Sequence, residues 1–222
     1  HGSKASVSSS FATVKSNPFG AVADPSLVQN SSYLSASTII NQSLYAISSK
    51  IFSYEAPGAE NLLDAHLQLW SQHYGRQNAF GVIPFFHKFQ VRSGAANAIL
   101  GYYSKNGTSG QPVSTVVPAN ALVYMRPTLT TSRSGDLPLS LNVSAIDYDE
   151  QTNSLVSNYI SALSVARSLE YPVISPVDST NGLELQHLTV LNHFIAAMSG
   201  NPSILLADGP EFSKTFTRFA CS

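Results

Sequence analysis

The sequence predicts an α/β fold: a doubly wound, mainly parallel sheet of about five to six strands with helices on both faces. Three observations predict it. From Val82 onward, short strand-like runs alternate with longer helical segments. The strand cores Val113–Val117, Tyr171–Ser175 and Ser203–Ala207 are apolar nearly throughout, as strands buried on both faces are. Helical segments rather than hairpin turns separate the runs, which implies right-handed crossovers between parallel strands.

The elements follow in chain order. His1-Gly2-Ser3 reads as a tag scar. Residues 4–36 are rich in Ser and Ala, with the turn-forming pieces Asn17-Pro18-Phe19-Gly20 and Asp24-Pro25. They read as an extended, partly mobile arm that packs through Phe11, Phe19 and Tyr33. A single domain is expected over 37–222. Its first helix is predicted over 37–53, because Ile40, Leu44, Ile47 and Ile51 form one apolar stripe. Ala56-Pro57-Gly58 breaks the chain. A second helix is predicted over 60–73, with Glu60 in its first turn, Leu62, Leu63, Leu67 and Trp70 on the buried side, and Gly75 as its stop. Strand 85–91 then leads into helix 94–103, and strand 113–117 into helix 120–131. Strand 138–144 leads through the acidic turn Asp147–Glu150 into helix 154–169. Strand 172–175 leads into helix 183–198, and strand 203–207 into Asp208-Gly209.

Composition narrows the function classes. Hydrophobic residues make up 43% of the 222 residues and charged ones 11%, which suits a large core under a neutral, hydroxyl-rich surface. Twelve Lys plus Arg oppose 13 Asp plus Glu, for a net charge of −1. Nothing there neutralises a phosphate backbone, so no nucleic acid is expected as a partner. No apolar run reaches the ~18 residues of a membrane span, so no membrane is expected either. No cleavable signal pattern opens the chain. Cys221, the single cysteine, cannot close an internal disulfide, and this is compatible with a reducing, cytoplasmic setting. Asn30, Asn41, Asn106 and Asn142 each head an Asn-X-Ser/Thr triplet. A Ser/Thr-rich chain produces such triplets by chance; a secreted ligand-binding domain would use them for glycan. The abrupt stop after Arg218-Phe219-Ala220-Cys221-Ser222 reads as a fragment of a longer protein.

The joint Arg92-Ser93-Gly94 falls at the carboxyl end of a predicted strand, where α/β proteins bind ligands. The start of the following helix offers free N–H groups to an anion or a cofactor. The plainer reading, preferred here, is that Gly94-Ala95-Ala96 let the helix lie close on the sheet. Neither a Gly-X-Gly-X-X-Gly fingerprint nor a P-loop occurs. His66 and His73 stand seven apart rather than the four of a helical zinc pair, so they read, with His87, His187 and His193, as packing or surface residues. Ser93 lacks the Gly-X-Ser-X-Gly elbow of a hydrolase. Asp147–Glu150 lacks the spaced ligands of a calcium loop and reads as a solvated turn. Asp208 reads as a helix cap.

The order of motifs carries a resemblance. It runs through Asn17-Pro18-Phe19-Gly20, Leu62-Leu63, Leu69-Trp70-Ser71, Pro84-Phe85-Phe86, Arg92-Ser93-Gly94-Ala95 and Leu141-Asn142-Val143. It continues through Tyr148-Asp149, Asn158–Leu163, Leu169-Glu170-Tyr171, Asp208-Gly209 and Phe212–Thr215. From about Thr38 to Thr215 the chain resembles the pyrimidine-type thiamine-diphosphate-binding domain of pyruvate:ferredoxin/flavodoxin oxidoreductases. It is closer still to the degenerate copy of that domain in fungal sulfite reductase flavoprotein (alpha) subunits. Working thiamine enzymes use a glutamate on this domain to bind the aminopyrimidine ring and drive its imino tautomer. The family carries it in a Ser-Glu-Ala-Gly-like turn; here the turn is Arg92-Ser93-Gly94-Ala95, and between Pro84 and Ser144 Asp136 is the single acid. The Gly-Asp-Gly…Asn motif that holds diphosphate and Mg²⁺ belongs to another domain and is not found.

The resemblance therefore implies a non-catalytic scaffold domain, with no catalytic, cofactor-binding or metal residue of its own. The parent would be an NADPH-dependent sulfite reductase of hydrogen sulfide, cysteine and methionine biosynthesis. Downstream modules would carry FAD and, where a flavodoxin-like module is kept, FMN. The expected partner is the haem/iron–sulfur (beta) subunit, with a homodimer as a further expectation. The competing readings are a working thiamine-diphosphate domain of a 2-oxoacid oxidoreductase and a secreted ligand-binding domain.

Overall fold

The computed structural model describes residues 33–54, 65–106, 113–131, 137–149, 151–176, 182–208 and 215–217. The tag-like residues 1–3, the arm up to residue 32, and Glu60, Leu62, Leu63, Asp136 and Cys221 lie outside them. The described chain is α/β, as predicted. Strand β1 (Tyr33–Ser35) pairs antiparallel with β9 (Thr215–Thr217). The main sheet is seven-stranded: β2 (Lys50–Tyr54), β3 (Phe85–Phe89), β4 (Val113–Pro118), β5 (Leu139–Asp149), β6 (Ser154–Ser157), β7 (Val173–Ile174) and β8 (Ser203–Asp208). Its parallel path runs β3-β2-β4-β5-β8-β7, with β6 antiparallel on the end of β5.

Helix α1 (Ala36–Ile47) is started by Ser35, whose Oγ accepts from Thr38 N at 3.2 Å. The expected helix over 37–53 is corrected here. It ends at Ile47, and Lys50–Tyr54 is strand β2, paired on both sides. The 47-to-51 spacing prolonged the stripe only by coincidence. Ile, Phe and Tyr favour a strand, and a five-residue run buried on both faces shows no period. Helix α2 (Ala65–Gln68) runs on as a π-helical turn, Leu69–His73, with Leu67 and Trp70 buried as expected.

Helices α3 (Gly94–Asn106), α4 (Ala119–Thr131) and α6 (Gly182–Ser199) lie close to their predicted spans. The helix expected over 154–169 is shortened to α5 (Tyr159–Ser168), because Ser154–Ser157 is strand β6. The acidic turn is corrected with it. Asp147 and Asp149 belong to β5 and pair with Val156 and Ser154. Asp149 holds the hairpin: its carboxylate accepts from Thr152 Oγ1 at 2.7 Å and from Gln151 N at 3.0 Å, which lower its pKa. Asn153, at φ 51°, takes the left-handed position such a turn requires.

The two faces of the sheet differ in chemistry. On β5, Leu139, Leu141, Val143 and Ala145 join the core under α3, α4 and α5. The alternate residues Ser140, Asn142 and Ser144 are also buried, facing the layer of α1 and α6. Between that face and α6, Ser48 Oγ meets Ser114 Oγ at 2.7 Å, and Ser114 Oγ lies 3.3 Å from His193 Nδ1. On the apolar face Tyr103 joins two strands: its hydroxyl donates to Pro138 O at 2.6 Å and accepts from Val113 N at 2.9 Å. Burial pushes this phenol up to about 12. Tyr103→Phe strands both backbone groups and is expected to cost about 2 kcal/mol, read as a lowered melting temperature. An unchanged melt would refute that.

Edge strand β3 is bordered by the π-helical turn. Ser71 Oγ donates to Pro84 O at 2.5 Å and Gln72 Nε2 to Phe86 O at 3.0 Å. Phe85 is bonded inward to Ser49 O, so the Phe86 carbonyl is one that points away from the sheet.

Candidate functional site at the sheet's carboxyl edge

The topology locates where a ligand would sit. From β2 the chain moves outward to β3; from β4 it moves the other way, to β5. The switch point therefore lies between β2 and β4, and the crevice beyond their carboxyl ends is the general ligand position of such sheets. The joint Arg92-Ser93-Gly94 follows β3, one strand further out. Its arginine nevertheless reaches back toward the switch point. Arg92 Nη1 donates to Tyr124 Oη at 2.9 Å, and its guanidinium carbon lies 4.8 Å from the Tyr124 ring centroid. A further hydrogen bond to Tyr54, the last residue of β2, is the main cause of the raised Arg92 pKa. One exposed cation is thus tied to the end of β2 and to α4, the helix that follows β4.

The small residues after Arg92 are explained by packing. A Cβ on Gly94 would come within 3.0 Å of Phe89 Cδ1 and 3.1 Å of its Cβ, so the first turn of α3 rests directly on β3. Ala95 and Ala96 are buried beneath the same helix. Ser93 is half-buried, and Asn97 N bonds its backbone carbonyl. Asp208, at the end of β8, accepts from Ser157 Oγ at 2.5 Å. Its carboxylate is thereby joined to the hairpin strand β6; the helix it was expected to cap lies outside the described residues.

The other sequence-chosen groups scatter. His66 stacks on Trp70 at 5.3 Å, with Nδ1 3.5 Å from Asn41 Nδ2, and burial lowers its pKa. His73, His87 and His187 are exposed. Among the described residues no three His, Cys, Asp or Glu side chains gather as a metal would require. Two of the four sequon residues, Asn41 and Asn142, are fully buried and cannot receive a glycan in the folded chain. Asn30 and the Asn106 side chain lie outside the described residues.

Sequence reasoning missed Tyr54 and Tyr124 because their convergence on Arg92 depends on strand order. It also missed the Ser114–His193 contact, made across 79 residues of sequence. That pair has the look of a nucleophile and its base, but Ser114 is fully buried and His193 is 4% exposed. No substrate reaches it, and it serves packing.

No helix among the described residues is long and apolar enough to cross a membrane. No protein-family model matches the chain. Two curated relatives do. The chain is 34% identical over 208 residues to the sulfite reductase (NADPH) flavoprotein component of Saccharomyces cerevisiae, covering 92% of this chain and 19% of that protein. It is 28% identical over 162 residues to the probable sulfite reductase (NADPH) flavoprotein component of Schizosaccharomyces pombe, covering 71% of this chain and 15% of that one. The chain thus spans less than a fifth of the length of each.

Proposed function

We propose that this chain is a non-catalytic scaffold domain of the flavoprotein subunit of an assimilatory NADPH sulfite reductase, with the fold of a degenerate thiamine-diphosphate pyrimidine domain. The whole protein would pass electrons from NADPH through FAD, and through FMN where a flavodoxin-like module is kept, to a haem/iron–sulfur subunit that reduces sulfite to sulfide in the cytoplasm. Similarity to two flavoprotein components, one across 92% of the chain, supports the parent. One observation supports the inert role: Arg92 is held by Tyr54, at the end of β2, and by Tyr124, on the helix after β4, beside the switch point. A working domain would present a carboxylate to the cofactor ring there, because the ring must exchange a proton with it. A cation hydrogen-bonded to two phenols exchanges none.

Calorimetric titration of the chain with thiamine diphosphate and Mg²⁺ tests this reading. No heat of binding is expected. Binding at micromolar affinity would overturn it and restore a working thiamine domain.

A further inference from the structure

We propose that the aromatic face of edge strand β3 is a platform for a single nucleotide: a flat heteroaromatic base laid on Phe85 and His87, with its phosphate at Lys50. Residues alternate along β3. Phe86 is buried in the cluster that holds Leu67 and Trp70, while Phe85, His87 and Phe89 share the opposite face. Phe85 is 52% exposed, His87 is exposed and Phe89 is half-buried. The Phe85 and His87 rings are parallel to within 5°, with centroids 6.4 Å apart. Parallel rings at that separation do not cover one another. If their planes touched, at about 3.5–4.0 Å, the rings would be slipped sideways by about 5 Å, close to a ring's width. If the planes stand further apart, a gap opens between them. In both cases ring faces are left for a third ring to stack on.

The rings are also fixed from behind. Phe52, buried on β2, meets Phe85 edge-on at 6.2 Å and Phe89 at 5.8 Å, and His87 meets Phe89 at 4.5 Å. A guest therefore finds the platform already ordered, which lowers the cost of binding. Phe85 and Lys50 begin their strands, so the platform lies at the amino edge of the sheet, away from Arg92 and the switch point.

The charge on the page selects an anionic guest. Lys50 is the register partner of Phe85, and its Nζ lies 5.2 Å from the Phe85 centroid and 5.0 Å from that of Tyr102. The surroundings share its sign. From Tyr33 to Thr131 the described residues include Lys50, Arg76, Lys88, Arg92, Lys105 and Arg126 and no Asp or Glu; Glu55, Glu60 and Asp64 lie outside them. From Leu137 onward the described residues carry Arg167 against Asp147, Asp149, Glu170, Glu184 and Asp208. β3 is the margin of the sheet opposite β8 and β7, so the platform stands at the positive end of a polarised molecule. A flat ring with a negative tail meets both features at once. A nucleic-acid strand would need a row of phosphate contacts, whereas one lysine beside the rings serves one phosphate.

Titration of the whole chain with adenosine monophosphate, followed by the nuclear magnetic resonance signal of the His87 ring, tests the proposal; loss of that signal in His87→Gln assigns it. A saturable shift is expected, with a dissociation constant of about a millimolar, as one stacked base and one phosphate contact give. Phe85→Ala is expected to weaken binding about tenfold. Lys50→Met should weaken adenosine monophosphate and leave adenosine as it was. Should Phe85→Ala lower the melting temperature, Phe85→Leu, which keeps apolar volume without a ring, decides in its place. A His87 signal that does not move, or one that inorganic phosphate moves as far, overturns the proposal. So does binding indifferent to the loss of the Phe85 ring, or a single-stranded oligonucleotide that binds a hundredfold tighter than the monophosphate. Micromolar binding of thiamine diphosphate that survives Phe85→Ala would instead overturn the scaffold reading, so the two failures are distinguishable.

Discussion

Acidification from pH 6.5 to 4 is expected to remove about 3 kcal/mol of stability through one side chain, His193. The imidazole is 4% exposed, with Nδ1 beside Ser114 Oγ, and burial lowers its pKa to about 4. In the unfolded chain it takes a proton as the pH falls through about 6.5; in the folded chain it stays neutral down to about 4. Because the folded pKa is the depressed one, the stabilisation is complete above pH 6.5 and is lost through that window, at about 1.4 kcal/mol per unit. Urea unfolding at pH 7, 5.5 and 4 should show a steeper decline in the parent than in His193→Gln, which cannot titrate. Parallel declines would show that His193 is not the group responsible.

Asn192→Ala is expected to cost about 3 kcal/mol, more than its small volume suggests. Asn192 Oδ1 accepts from Ser203 Oγ at 2.7 Å, and its Nδ2 donates to Ser140 Oγ at 3.3 Å. One amide thereby fastens α6 to β5 and β8, and all three side chains are fully buried. Alanine leaves two hydroxyls without this partner and opens a void. Adding Ser140→Ala and Ser203→Ala to Asn192→Leu should recover most of the loss, since the hydroxyls left without Asn192 are removed with it, and Asn142 Nδ2, which also donates to Ser140 Oγ, keeps the Thr115 and Ser140 carbonyls. Urea midpoints of the single and triple variants measure both effects; equal midpoints would refute the account.

The parallel strands were legible because their apolar runs are short and bounded by helices of clear period. β2 was not, since Ile51 happened to extend the stripe of α1. β6 was not, since Ser-Leu-Val-Ser carries no strong strand signal and its partner lies across a turn. The polar half of the interior was unreadable for another reason. Ser48, Ser114, Ser140 and Ser203 look like surface residues singly, and only their registers bring them together with Asn192 and His193. At the crevice the sequence reading identified Arg92 as the residue of interest, but finding its two phenolic partners required the strand order.

The amide of Gln72 on the Phe86 carbonyl has a consequence for what this protein can become. An open sheet edge templates further strands, and a chain with such an edge can grow without limit into cross-β fibres. Here one margin has Ser71 and Gln72 on two of its outward carbonyls, those of Pro84 and Phe86, and the other ends in the two-residue strand β7. Two occupied carbonyls on one margin and a short strand on the other leave the main sheet fewer free groups with which to recruit a further strand.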